Sequence, residues 1–513
     1  MSTAQSVNDV GAARGLRAAR GYSYRVQLPP GGARLTRRRL LMVGALGASA
    51  IPFTHPGRLL DRGYRALVAP ADAPRQPRFH SRPDLKIPTL TVTTQSAAVG
   101  AGLLLLAPYN APLPAQAGAV IVDDTGEPVW EQPLAGLVTA DFRVQTYHGK
   151  PALTWWQGLI EYGHGVGEYV IADSSYAPLA RVNAGNGLHG DLHEFLLTDR
   201  GTALLTSYNM LRHDLRAAGG SPHGSIQDAI FQEIDVATGK VLLEWHSLDH
   251  IPLTESFYPV STWWDYVHLN SIAIDSDENL LVSSRNTHTI YKVNRSTGAI
   301  MWRLGGKHSD FEIDANALFA WQHDARRQPD GSITLFDNGD SESRALVLAV
   351  DEPRRSVKLV REYAHPTRIY ANSQGNMQIL PNGNVLVGWG AQPYVSEFSA
   401  TGQLLFDAKL GANYMSYRAY RMPWSGIGAG PPTVVATRTG DSVTAYVSWN
   451  GDTRAAQWTV FAGTRRDRLA AIGTVVRTGF ETGIEIPKSF TMLRVTGGDL
   501  KGQPLATSAL VLV

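Results

Sequence analysis

Four stretches of this chain share one layout: an apolar alternating run, a turn rich in Asp, Asn or Gly, then a second apolar run. They are HEFLLTDRGTALLTS (193–207), NSIAIDSDENLLVSS (270–284), HDARRQPDGSITLFDNG (323–339) and NMQILPNGNVLVGWG (376–390). Each reads as a β-hairpin. Asn270 to His323 and His323 to Asn376 are both 53 residues apart, and the longer step from His193 to Asn270 leaves room for an inserted loop such as 212–225. A second hairpin type lies between these, with Thr-Gly at its turn: 121–134, 233–246, 291–306 and 397–410. Two hairpins make four strands, the content of one propeller blade. Counting such units predicts an all-β fold: a six-bladed β-propeller over 85–424. Residues 425–513 alternate short strands with polar turns, predicting a small fibronectin type III-like β-sandwich with Trp449 in its core.

Charge divides the chain unevenly. Of 47 basic and 45 acidic residues, eight arginines and one aspartate lie in 1–39, leaving 39 bases against 44 acids elsewhere. A mildly acidic body without a basic stripe argues against nucleic acid as a partner. With no cysteine in the chain, disulfides, thiolate metal sites and cysteine nucleophiles are excluded. No phosphate-cradling Gly-rich loop ending in Lys-Ser/Thr is present, which argues against nucleotide-dependent chemistry.

Residues 1–50 have the layout of a twin-arginine export signal: Arg37-Arg38-Arg39, an apolar stretch from Leu40 to Phe53, and small residues at Ala48-Ser49-Ala50. The stretch is shorter than the ~20 residues that span a bilayer comfortably. The expectation is an exported protein, extracellular or in the cell envelope, with a membrane attachment only if the segment is not cleaved. Residues 51–84 read as a linker.

The first strands of a propeller's blades converge on its axis, so equivalent repeat positions meet in space. Histidines occupy those positions: His193 in DLHEF, His268 in DYVHLNS and His323 in AWQHDA, with Arg285 in SSRN as a fixed cation. A lone buried histidine is ordinarily a core residue, whereas three at equivalent positions point to a site. Three imidazoles suit a zinc or iron ion, but a neighbouring guanidinium repels a metal and suits an anion such as sulfate or phosphate. Asp337, Asn338 and Arg344 follow His323 and either position the site or end a strand. Trp263, Trp264 and Trp321 offer an aromatic wall or, equally ordinary, propeller packing. His164, His213, His223, His246 and His365 read as surface.

The strings WDYVHLNSIAID, SSRNTHTIYKVNRSTGAIMWRLGG and FAWQHDARRQPDGSITLFDNG resemble the motifs of arylsulfotransferases that do not use phosphoadenosine phosphosulfate, over roughly residues 82–425. The resemblance implies transfer of a sulfuryl group from an aryl sulfate to a phenol through a sulfohistidine, with no dissociable cofactor. It implies His323 as nucleophile, His268, Arg285 and His193 (His189 being its rival) as the other catalytic residues, and Asn270, Trp321, Asn338 and Arg344 near the substrate. Other readings of the residues are a non-catalytic binding propeller and a histidine-metal hydrolase or lyase.

Overall fold

A computed structural model describes residues 78–85, 87–109, 117–134, 136–411 and 414–513. The export segment and most of the linker lie outside the described residues. What is described is all-β, with only single helical turns between strands, in eight sheets.

Six of these sheets lie between Leu90 and Met422. Sheet I comprises Val138–Tyr147, Lys150–Glu161, His164–Ala172 and Pro178–Val182; sheet II Phe195–Leu197, Thr202–His213, Gly224–Asp235 and Val241–His246. Sheet III comprises Leu269–Ile274, Leu280–Ser284, Thr289–Val293 and Ile300–Gly305, and sheet IV His323–Arg327, Ile333–Asp337, Arg344–Asp351 and Ser356–Ala364. Sheet V joins Asn376–Ile379, Val385–Gly388, Tyr394–Phe398 and Leu404–Leu410 to Leu90–Gln95 from the other end of the region. Sheet VI sets Met415–Met422 against Leu103–Tyr109, followed by Ala117–Val122 and Pro128–Leu134. The two ends of the region are thus stitched together in two sheets. The turns are those the sequence marks. Asp or Thr side chains close the first hairpins, as Asp275 and Thr198 do, and Thr-Gly closes the second, with Gly298 and Gly402 at positive φ. The segment 212–225 is less a free loop than a hairpin extension, since His213 pairs with Gly224.

Strand alternation makes each sheet bury both faces. Leu205 packs with sheet I while Leu204 packs with sheet III, and Leu280 and Leu281 likewise face opposite neighbours. The apolar clusters link I to II, II to III, III to IV, IV to V, V to VI and VI back to I. This two-sided burial explains near-continuous apolar runs such as the fully buried Leu280–Ser284 and Thr289–Val293.

The inner ends of the sheets meet in a buried ionic layer. Glu194 of sheet II receives Arg143 of sheet I at 2.5 Å, Arg326 of sheet IV at 2.5 Å and Arg418 of sheet VI at 3.3 Å. Arg418 also bonds Asp141 at 2.8 Å and the Asn270 carbonyl at 2.9 Å. Buried charges persist only where paired, so this network ties four sheets into one register. Register irregularities at Ala140/Arg143, Leu269/Ser271 and His323/Arg326 turn the starts of three inner strands.

Residues 433–513 form a three-stranded sheet (Thr433–Thr439, Ser442–Ser448, Glu481–Ile486) and a second sheet built on Gln457–Gly463 and Met492–Gly498. Val443, Val447, Trp449, Trp458, Val460 and Val495 share one core between them, which places Trp449 as expected. Phe79, within the predicted linker, packs on Phe480 of this unit at 4.5 Å, and Tyr176 of the sheet I region bonds the Gly451 carbonyl.

Candidate functional site

The strand starts that carry the predicted histidines do converge. The ring centroids of His193 and His268 lie 4.7 Å apart, and those of His268 and His323 6.3 Å apart. His189, the rival of His193, is exposed and contributes only its carbonyl, to Ser207. His268 holds φ at 55°, and Trp321 and Asp324, flanking His323, hold 57° and 56°. Such positive φ values in bulky residues cluster at functional sites.

Each histidine is fixed through Nδ1. His193 donates to Asp191 at 2.6 Å and His268 to Asp265 at 2.5 Å. His323 has Asn338 Oδ1 at 2.7 Å. The Asn338 amide group donates to the Ala371 and Gln374 carbonyls at 2.8 and 3.0 Å, so its oxygen must face His323. His323 therefore carries its proton on Nδ1 and its lone pair on Nε2. The Gln374 N–H meets that lone pair at 3.2 Å. Asn270 donates to the carbonyl of Gln322, next to His323, at 2.8 Å.

Arg285 lies over the Trp321 ring at 4.8 Å and donates to Asn286 and to the Asn372 carbonyl. Its buried Nε has no partner. Burial, then the charge of Arg285, then His268, push His323 well below its ordinary pKa of 6.5. Burial lowers His268 to about 4 despite Asp265. His288, between Phe257 and Trp321, is lowered to about 4 by burial and Arg285. The result is a neutral imidazole beside a cation, its Nε2 lone pair held only by the Gln374 N–H, suited to attack on an anionic group.

Several expectations change. Arg344 does not reach the histidines: its guanidinium is taken by Asp337, Glu362 and two carbonyls, since it sits within sheet IV. Trp264 is core, but Trp263 is 49% exposed and lies tilted against exposed Tyr162 at 4.4 Å. Trp321 is half-buried. His213 and His223 are exposed as expected, whereas His164 and His365 are buried. The turn before His164 brings the residue back under sheet II, where its ring lies 5.2 Å from His268 and its Nε2 is 3.2 Å from Asp265. Asp191 and Asp265 were missed although both stand two or three residues before a predicted histidine, in DLH and DYVH. A cavity of about 580 Å³ lined by Arg143, His148, Leu197, Tyr420 and Met422 touches none of His164, His193, His268 and His323, so chemistry rather than volume marks the site.

The arylsulfotransferase (ASST) family model matches residues 143–411, which cover most of sheets I to V and every residue of the histidine cluster. The chain belongs to the arylsulfotransferase family, and with it stands an all-β, propeller-type sulfotransferase domain. No curated protein matches the chain. Among solved structures, a protein of unknown function from Bacteroides caccae shares 12% identity, covering 63% of this chain and 100% of that one, with a TM-score of 0.38. TolB from Acinetobacter baumannii shares 16%, covering 61% and 65%, at 0.35. A catalytically inactive virginiamycin B lyase from Staphylococcus aureus, with quinupristin, shares 10%, covering 71% and 97%, at 0.32. These superpositions are loose and carry no weight for the function.

Proposed function

We propose that this protein is an exported, six-bladed propeller with a fibronectin type III-like sandwich, which transfers a sulfuryl group between phenols by a ping-pong route. The family supports an aryl sulfate as donor and a phenol as acceptor. The closed circuit of six sheet-to-sheet cores supports the blade number.

The observation that carries the mechanism is the fixed tautomer of His323. Its Nε2 lone pair attacks the donor sulfur once the 3.2 Å contact with Gln374 N–H is given up. The N–S bond forms, the S–O(aryl) bond breaks, and the phenolate leaves with the bonding pair. In the second half-reaction an acceptor phenol attacks the same sulfur. His268, neutral and oriented by Asp265, takes the phenol proton, and the N–S bond breaks with its pair returning to His323. Arg285 and His193 stabilise the charge on the sulfuryl oxygens, a role whose loss costs ~10²–10³ in rate.

The test is 4-nitrophenyl sulfate with excess phenol. Phenol-dependent nitrophenolate release, lost in His323→Ala and reduced in Arg285→Ala, is expected. Equal, near-normal release by both variants would refute the assignment.

A further inference from the structure

One carboxylate oxygen beside the nucleophile serves two imidazoles. Asp265 Oδ2 accepts from His268 Nδ1 at 2.5 Å and lies 3.2 Å from His164 Nε2. Asp191 is built differently. Its oxygens also accept from the Gly165 and His193 N–H groups and from the Thr206 hydroxyl, so its charge is spread over neutral donors as well as the His193 ring. The second oxygen of Asp265 has no hydrogen-bond partner. The two rings therefore divide the charge of Asp265 between them, with Arg285 and Tyr258 also within its field.

His164 opens a strand of sheet I and is 5% exposed. Its ring lies 4.0 Å from Tyr208 of sheet II, 6.0 Å from His193 and 5.2 Å from His268. His268 is faced in addition by His193, Tyr208 and His323. Tyr208, and Tyr417 against His193, are held well above 10 by burial and stay neutral. Burial opposes a charge on His164, but Asp265 and then Asp191 hold its pKa above the ordinary 6.5. His268 falls to about 4 through burial and the neighbouring His193 and His164, despite Asp265. Over the range where His268 titrates, His164 is thus already an imidazolium, and a like charge 5.2 Å away disfavours a second proton.

We propose that His164 is a positioning residue: held on Asp265 beside His268, it claims part of the carboxylate's charge and leaves His268 uncharged, with its proton on Nδ1 and its lone pair on Nε2. Without His164 the carboxylate would act on His268 unshared and make it a cation in mild acid, unable to take a proton. The use of that lone pair on a phenol rests on the transferase reading; the pairing of the two rings does not.

The test is NMR titration of full-length protein labelled with ¹³C,¹⁵N-histidine, with His164→Gln and His268→Gln assigning the rings. At about pH 6, between the two pKa values, the unmutated protein is expected to show His164 doubly protonated and His268 neutral with its proton on Nδ1. In His164→Gln the His268 pKa is expected to rise from about 4 by about a unit or more, and in His164→Lys, which restores a cation, to return toward the parent value. The acid limb of phenol-dependent discharge moves with it, a change that lost packing alone would not produce. A neutral His164 or a charged His268 in the unmutated protein at that pH overturns the proposal whether or not any variant folds, and so does an unmoved His268 pKa in folded His164→Gln. Absence of phenol-dependent transfer alongside the expected protonation states would remove the transferase reading and leave the pairing in place.

Discussion

Asn338→Asp tests how charge beside the ring sets the protonation of His323, which burial, Arg285 and His268 hold neutral against the opposing hydrogen bond to Asn338. The wild-type amide accepts from His323 Nδ1 at 2.7 Å and donates to the Ala371 and Gln374 carbonyls. The carboxylate keeps the acceptor but adds a charge against the ring. Two unit charges about 4 Å apart interact by ~4 kcal/mol at an effective dielectric of about 20, and a carboxylate at this range typically moves a pKa by about 1–3 units. The imidazolium is favoured, so the His323 pKa rises from its position well below 6.5. Protein labelled with ¹³C-histidine, titrated by NMR, reads this directly, with His323→Ala giving the assignment. The acid limb of nitrophenolate release is expected to move up by the same amount. The two lost donations to carbonyls act on stability and leave the direction of the pKa change alone. A His323 pKa unchanged or lowered in the variant would refute the electrostatic reasoning.

Three further outcomes follow from the geometry. Glu194→Gln removes the anion shared by Arg143, Arg326 and Arg418 and is expected to destabilise the fold by about 3–5 kcal/mol; an unchanged urea midpoint would contradict the role given to the ionic layer. Gly375→Ala places a Cβ 2.6 Å from the Phe336 ring at a φ of +102°, so a clear fall in melting temperature is expected, and a neutral result would count against the described path of the Gln374 segment. His268, lowered to about 4, takes up its proton in the unfolded chain near pH 6.5 and in the folded chain only near 4. Its contribution therefore weakens stability as pH falls through that window, and His268→Gln should flatten the loss between pH 6.5 and 4, as followed by urea unfolding.

The repeat announced both hairpins of sheets II, III and V and one each of sheets IV and VI, because turn chemistry is local: Thr-Gly and Asp-Gly turns fix a chain reversal wherever they stand. The same spacing located His193, His268 and His323 at inner strand starts, and the cluster forms there. What escaped was set by burial across sheets. His164 follows an ordinary-looking turn at Tyr162-Gly163, and nothing nearby says that the residue is brought against Asp265, a hundred positions on. Asp191 and Asp265 carry a local signal, an acid just before a histidine, but a carboxylate in a turn usually caps backbone. Arg344 was misjudged for the opposite reason: proximity in sequence to His323 suggested the site, while strand alternation turned it to Glu362.

The central claim is that His323 becomes the covalent carrier. Protein mixed with an aryl sulfate and no acceptor, quenched at alkaline pH to protect an N-sulfonated imidazole, and digested for mass spectrometry tests it most directly. A sulfuryl adduct on the peptide containing His323, discharged by added phenol and absent from His323→Ala, is the predicted result. Phenol-dependent turnover with no adduct there, or with the adduct on another histidine, would contradict the account.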